Sequence, residues 1–143
     1  MKNLFLDTNV IIDVLANRQP FSDAAARVFY LAETGKLKLF ISALSYSNIY
    51  FIIRRNSSHK EMISILRDLE ALTETLDVTK QVISHSLLSD FKDFEDAIQY
   101  QTALISKRID VIVTRNVKDY KNSALPVLTS DEVISAIENL NNG

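Results

Sequence analysis

Short apolar runs alternate with amphipathic helical segments along the whole chain. The apolar runs have the length of strands and cover residues 4–6, 37–41, 75–78, 110–113 and 126–128. Several are apolar throughout, which is typical of parallel strands buried on both faces by the helices between them. We therefore predict a three-layer α/β/α fold with a central parallel sheet of about five strands.

Composition favours one folded domain over the whole chain. The 143 residues are 47% hydrophobic and 24% charged, and they include only two glycines and two prolines. Because a flexible linker would need more of both, we expect residues 1–143 to form a single domain. The longest apolar run, residues 49–53, is far shorter than the ~20 residues that span a membrane. The apolar run after Met1 ends too early for a signal peptide, and we expect a cytoplasmic protein.

Residue types that are scarce exclude several kinds of site. The two glycines, Gly35 and Gly143, are too few for a phosphate-binding P-loop or a dinucleotide fingerprint. Cysteine is absent and there are two histidines, so disulfides, cysteine nucleophiles and histidine-built zinc sites are excluded. A bound metal would need mostly oxygen ligands, which favours Mg²⁺ or Mn²⁺.

Polar residues follow the predicted first and fourth strands. Asp7 and Asn9 come directly after the first strand, and Thr114, Asn116 and Asp119 come after the fourth. In open parallel sheets the functional site lies at the carboxyl ends of the strands, so both groups should meet at one edge. A purely structural explanation is that these residues cap the helices that come next.

A third group of acids opens the helix predicted after residue 92. Its apolar stripe comprises Phe94, Ala97, Ile98, Leu104 and Ile105. On a helical wheel Asp93 and Asp96 share the margin of that stripe, whereas Glu95 points towards solvent. Acids in a first turn also complement the helix dipole. However, two carboxylates ~4 Å apart repel by ~4 kcal/mol, so a cleft that gathers several of them is better explained by a divalent cation.

Four segments together resemble the PIN-domain family, of the bacterial type associated with VapC-like toxins. They are Leu6-Asp7-Thr8-Asn9, Ile41-Ser42 before a helix, Asp93-Phe94-Glu95-Asp96-Ala97, and Thr114-Arg115-Asn116-x-x-Asp119-Tyr120. The resemblance covers nearly the whole chain. It implies an endoribonuclease dependent on Mg²⁺ or Mn²⁺, which would be the toxin of a toxin–antitoxin pair with an antitoxin protein as partner.

The resemblance also implies roles for individual residues. Asp7 and Asp96 match metal-binding acids, and Asp93 matches a supporting acid of the catalytic group. Asn116 or Asp119 occupies the position of a variable fourth ligand. Asn9 and Thr114 would orient the metal ligands or the phosphate by hydrogen bonds, without binding the metal themselves.

Asn48 departs from the family pattern, in which many members carry a glutamate at this position. We expect Asn48 to be buried, on one helical face with Leu44, Phe51 and Ile52. An amide contributes no charge to a catalytic metal site. The alternative function is therefore a catalytically weak PIN domain that acts as an RNA-binding or protein-interaction module.

Two further expectations concern contacts with other molecules. Arg115 and Lys118 flank Asn116 and would bind RNA phosphates, although ordinary surface charge explains them about equally well. Apolar residues on exposed helix faces suggest a homodimer.

Overall fold

Five parallel strands form the central sheet, in the order β3-β2-β1-β4-β5. The computed structural model describes residues 1–142. The strands are β1 (Asn3–Leu6), β2 (Lys38–Ser42), β3 (Glu74–Leu76), β4 (Val111–Val113) and β5 (Val127–Leu128). Each predicted strand is present, with bounds that differ by one or two residues. β1 lies at the centre because it pairs with both β2 and β4.

Helices cover both faces of this sheet, which confirms the three-layer prediction. They are α1 (Thr8–Leu15), α2 (Ser22–Glu33), α3 (Ala43–Ile53), α4 (His59–Leu72), α5 (Lys80–Leu87), α6 (Phe94–Ser106) and α7 (Ser130–Asn142), with 3₁₀ turns at Arg54–Asn56 and Val117–Tyr120. Leu4 and Leu6 of β1 pack with α1–α4 and α7, and Phe5 packs on the other face with α6. None of the helices in residues 1–142 combines the length and apolar character that crossing a membrane requires.

Local sequence signals account for several helix ends. Ser58 and Thr79 cap α4 and α5 as their side-chain oxygens accept a backbone N–H three residues on. Gly35 has φ +81 just after α2, a left-handed conformation that favours glycine. The predicted apolar stripe of α6 is wrong at Phe94, which is 48% exposed and is the first residue of the helix.

A buried polar cluster ties three helices together beside the end of β1. Gln99 of α6 donates through Nε2 to Thr8 Oγ1 of α1 at 2.9 Å and to Ser45 Oγ of α3 at 3.2 Å. The two hydroxyls also lie 2.9 Å from each other. Among the described residues, 1–142, the amide oxygen of Gln99 has no hydrogen-bond partner. Desolvation of that oxygen offsets part of what the amide contributes.

We predict that Gln99→Leu changes the free energy of unfolding by less than about 1 kcal/mol, since the two hydroxyls can still bind each other and the unpaired oxygen is removed. Gln99→Ala should cost about 2–4 kcal/mol because it leaves a cavity. Urea unfolding of the two variants checks this. Equal destabilisation by both variants would show that the buried amide itself stabilises the fold.

Candidate active site

An open cleft of about 900 Å³ lies at the edge of the sheet where β1 and β4 end. Seven of the predicted site residues line it: Asp7, Asn9, Asp93, Asp96, Asn116, Lys118 and Asp119. The topology explains this arrangement, since β1 and β4 are adjacent parallel strands and the segments after them share one edge. The structure therefore brings the two strand-end groups and the first turn of α6 together.

Asp7 is the most deeply placed acid of the cleft, with 5% of its surface exposed. Its Oδ2 accepts from Thr114 Oγ1 at 2.9 Å and from Tyr120 Oη at 3.1 Å. Within residues 1–142 no side chain donates to its other oxygen. Burial raises the pKa of Asp7, and the two hydroxyl donors oppose that effect. The carboxylate is thus oriented through one oxygen while the other remains available to a ligand.

Tyr120 is a site residue to which the sequence interpretation gave no role. It is buried, and burial followed by the charges of Asp7 and Asp96 raises the pKa of its phenol. The phenol therefore stays protonated and acts as a donor to Asp7. Its place directly after Asp119, in the segment that carries the family resemblance, is the sequence signal that could have identified it.

Asp96 stands in the first turn of α6, where Asp93 caps the helix by accepting from the Asp96 N–H at 3.0 Å. The pKa of Asp96 is raised to about 7, mainly by burial and then by the carboxylates of Asp7, Asp93, Asp119 and Glu95. Four neighbouring acids thus disfavour its charge. A bound cation would remove this repulsion.

Glu95 is exposed, as the helical wheel predicts, and it also lines the open cleft. Its Oε1 accepts from Asn48 Nδ2 of α3 at 2.8 Å. Burial raises its pKa, as do Asp7 and Asp93, and the Asn48 hydrogen bond lowers it. This hydrogen bond joins the first turn of α6 to α3. A helical wheel of α6 alone does not include that neighbour.

Asn48 itself is only half-buried, so the expectation of a buried amide is wrong. The proposed inward face fails at Phe51 and Ile52, which are 71% and 46% exposed. Asn48 contacts the cleft through Glu95. The carboxylate of Glu95 in α6 therefore lies next to Asn48, the α3 position at which the family pattern has a glutamate.

Arg115 does not line the cleft, unlike Lys118. Its Nε lies 2.9 Å from Asp13 Oδ2, and its guanidinium carbon lies 4.5 Å from the ring centre of Phe21. The guanidinium of Arg115 is thus already paired with Asp13, a buried acid of α1. The prediction that Arg115 binds phosphate overlooked Asp13, which lies about 100 positions earlier in the chain.

The chemistry of the donor set fits a hard divalent cation. Within residues 1–142 no three histidine or acidic side chains converge tightly enough to hold one metal ion in common. Mg²⁺ does not require such a cage, because it keeps several waters and is often bound by one or two carboxylates together with substrate phosphates. Asp7 and Asp96 are two carboxylates of the kind that such binding needs. A bound cation would reduce the repulsion between their charges.

Comparison with known proteins assigns the chain to a family. The sequence profile described as PIN domain matches residues 3–118. The chain therefore belongs to the PIN domain family. No curated protein matches the sequence.

Several solved structures resemble this one in fold. VapBC-1 from nontypeable Haemophilus influenzae has a TM-score of 0.67 at 22% identity, covering 90% of this chain and 98% of its own. A toxin–antitoxin complex from Klebsiella pneumoniae has a TM-score of 0.65 at 21% identity, covering 89% and 97%. VapC20 of Mycobacterium tuberculosis, described as a sarcin–ricin loop cleaving toxin, has a TM-score of 0.59 at 16% identity, covering 76% and 86%.

We predict that Asp96→Asn stabilises the metal-free protein at pH 8. Because the pKa of Asp96 is raised from 3.8 to about 7, the parent should lose stability as pH rises from about 4 to 7, and the variant should lose less. The gain should be about 1–2 kcal/mol once solvent screening is allowed for.

Thermal unfolding in EDTA at pH 5 and pH 8 checks this expectation. The control is Asp23→Asn, an exposed acid in the first turn of α2, which should give no gain. Parallel pH profiles for the parent and Asp96→Asn would contradict a repulsive cluster.

Proposed function

We propose that this protein is a Mg²⁺- or Mn²⁺-dependent endoribonuclease, the toxin of a toxin–antitoxin pair. The observation that carries the proposal is the group of carboxylates around Asp96, whose charges oppose one another in an open cleft. Membership of the PIN domain family supports a nuclease. The description of VapC20 as a sarcin–ricin loop cleaving toxin supports the substrate class.

Asp7 and Asp96 would hold the metal, with Asn116 or Asp119 as a further ligand and Asp93 as a supporting acid. When bound, the metal would lower the pKa of a coordinated water and stabilise negative charge on the scissile phosphate. The chain's own contribution is orientation. The hydroxyls of Thr114 and Tyr120 fix Asp7, and Asn9 Nδ2 lies 3.5 Å from Thr114 Oγ1.

Basic side chains in the same cleft suit a phosphodiester backbone. Arg18, Lys92, Lys118 and Lys121 all line it, although the chain as a whole has a formal net charge of −2. Cations near a carboxylate site would attract the phosphates that the acids alone would repel. This local pairing of opposite charges supports RNA as the substrate, with Lys118 as a proposed phosphate contact.

The proposed partners are an antitoxin and a second copy of the chain. Neighbours from Haemophilus influenzae and Klebsiella pneumoniae were solved as toxin–antitoxin assemblies, which supports the antitoxin. Exposed apolar side chains at the ends of α3 and α5 support a homodimer; they include Phe51, Leu87 and Leu88.

Cleavage of a mixed RNA substrate by the purified protein tests the activity. We expect cleavage with Mg²⁺ or Mn²⁺, none with EDTA, and none by Asp7→Asn with either metal. Asp7→Asn preserves an oxygen that can accept from Thr114 and Tyr120, so its fold should be retained. Cleavage that persists in EDTA or in Asp7→Asn would contradict the proposed site.

A second candidate function is an RNA-binding or protein-interaction module with little catalysis. The specific observation in its favour is that Asn48, where the family pattern calls for a carboxylate, brings only an amide that binds Glu95. RNA bound in the presence of metal and recovered uncut would favour this alternative.

We predict that Asn48→Glu lowers the melting temperature of the metal-free protein, since the new carboxylate would stand beside Glu95. Added Mg²⁺ or Mn²⁺ should then raise the melting temperature more than it does in the parent, since ligand charge strengthens binding of hard cations. The control is Asn48→Gln, which adds length without charge.

Cleavage by Asn48→Glu distinguishes the two candidate functions. Faster cleavage favours an enzyme whose metal site is limited by Asn48, and tighter metal binding without cleavage favours the binding module. Identical metal responses of the Glu and Gln variants would show that position 48 does not influence the metal.

We predict that Lys118→Ala weakens RNA binding and reduces the slope of log affinity against log salt by about one phosphate contact. Filter binding at several salt concentrations, with EDTA present to prevent cleavage, measures the slope. Lys36→Ala is the control, because Lys36 is exposed just before β2, at the amino edge of the sheet. Equal slopes for both variants and the parent would contradict a phosphate contact at Lys118.

A further inference from the structure

Arg115 connects three segments of the chain next to the candidate site. Its Nε lies 2.9 Å from Oδ2 of Asp13 in α1, and its guanidinium carbon lies 4.5 Å from the ring centre of Phe21, just before α2. Its backbone N–H donates to Asn9 Oδ1 at 3.4 Å. The second residue after β4 is thus held from α1 and from the segment that leads into α2.

Asp13 explains why the side chain of Arg115 is fixed. The side chain of Asp13 is 1% exposed, and a carboxylate buried to that degree requires a partner of opposite charge. Burial raises the pKa of Asp13, and Arg115 and then Arg18 lower it. Moving the guanidinium towards a phosphate would leave the carboxylate of Asp13 without its closest cation.

The residue next to Arg115 makes the contact that matters for the site. Thr114 Oγ1 donates to Asp7 Oδ2 at 2.9 Å and accepts from the Asn116 N–H at 3.1 Å. Arg115 therefore lies between the residue that supplies this hydroxyl and the residue whose amide orients it. The backbone of Thr114 is held by its N–H to the Leu128 carbonyl at 3.0 Å, so the placement of Arg115 bears on the side-chain hydroxyl through the Asn116 N–H.

We propose that Arg115 is a positioning residue, whose ion pair with Asp13 holds residues 114–116 against α1 and so aims the Thr114 hydroxyl at Asp7. The proposal replaces the sequence-based prediction of a phosphate contact. Its kinetic consequence rests on the proposed ribonuclease function. A positioning residue affects turnover, whereas a phosphate contact affects RNA binding and its salt dependence.

The first experiment compares Arg115→Gln with the parent in RNA cleavage and RNA binding. We expect kcat to fall about 10- to 100-fold, with KM and the salt slope unchanged. Arg115→Lys should recover part of kcat because it keeps a charge beside Asp13. The matched control is Arg27→Gln, since Arg27 also lies over an aromatic ring, that of Tyr30 at 5.3 Å on α2, and it should have no effect. An unchanged kcat with a weaker salt slope would overturn the proposal and return Arg115 to phosphate binding.

A double-mutant cycle tests whether Arg115 acts through Thr114. Thr114→Val removes the hydroxyl and keeps the shape of the side chain. If Arg115 only orients that hydroxyl, the double variant should be about as slow as Thr114→Val alone. If the fold-losses in kcat of the two single variants multiply in the double variant, the proposal that Arg115 acts through Thr114 is overturned.

A second double variant separates positioning from general stability. Arg115→Gln leaves Asp13 unpaired and should lower the melting temperature, whereas Asp13→Asn with Arg115→Gln removes both charges and should recover it. We expect kcat to stay low in that double variant, because the ion pair that holds residues 114–116 is gone. Recovery of kcat together with stability would show a merely structural role and overturn the proposal.

Amide hydrogen exchange tests the role of Arg115 independently of activity. If the parent fails to cleave RNA, only the proposed function is contradicted, and the exchange measurement still decides whether Arg115 is a positioning residue. The Asn116 N–H is protected by Thr114 Oγ1. Its exchange, followed by NMR, should be faster in Arg115→Gln than in the parent and unchanged in Arg27→Gln. Equal exchange in the parent and Arg115→Gln would overturn the positioning role.

Discussion

The buried carboxylate of Asp7 depends on two hydroxyl groups that both donate to one of its oxygens. Without Thr114 and Tyr120 a charge at that depth would cost several kcal/mol. Both donors come from the segment after β4, so the site requires β1 and β4 to pair in register, with Leu6 opposite Val113. The Asp7 N–H continues that ladder to the Val113 carbonyl at 2.9 Å. Correct pairing of the two central strands thus forms the sheet and satisfies the deepest acid.

Charges of both signs line the same cleft, and they suit different parts of one ligand. The acids of α6 and the acid after β1 oppose one another, which suits a cation. The lysines and arginine that line the cleft suit phosphate oxygens. Neither set of charges alone distinguishes a nucleic acid from other ligands. A group of acids that suits a metal ion, next to basic side chains that suit phosphate, fits phosphodiester chemistry.

The parts of the fold and site that follow local sequence order could be predicted, and contacts between distant segments could not. Asp7, Asn116 and Asp119 were placed correctly because each comes after a strand whose apolar pattern is clear. The hydrogen bond of Glu95 could not be predicted, because a helical wheel describes α6 by itself and the partner Asn48 lies 47 positions earlier. The ion pair of Arg115 could not be predicted for the same reason, because its partner Asp13 lies in α1. Tyr120 received no role, since no periodic pattern marks a side chain in a 3₁₀ turn.

The junction between β1 and α1 is a single residue, since β1 ends at Leu6 and α1 begins at Thr8. One residue inserted there would rotate α1 by about 100° relative to the strand, because an α-helix has 3.6 residues per turn. Asn9 and Asp13 would then turn away from the segment after β4 together. Chain length at this junction is therefore as constrained as the identity of Asp7, whereas segments remote from it, such as residues 54–58 between α3 and α4, are where related chains should differ in length.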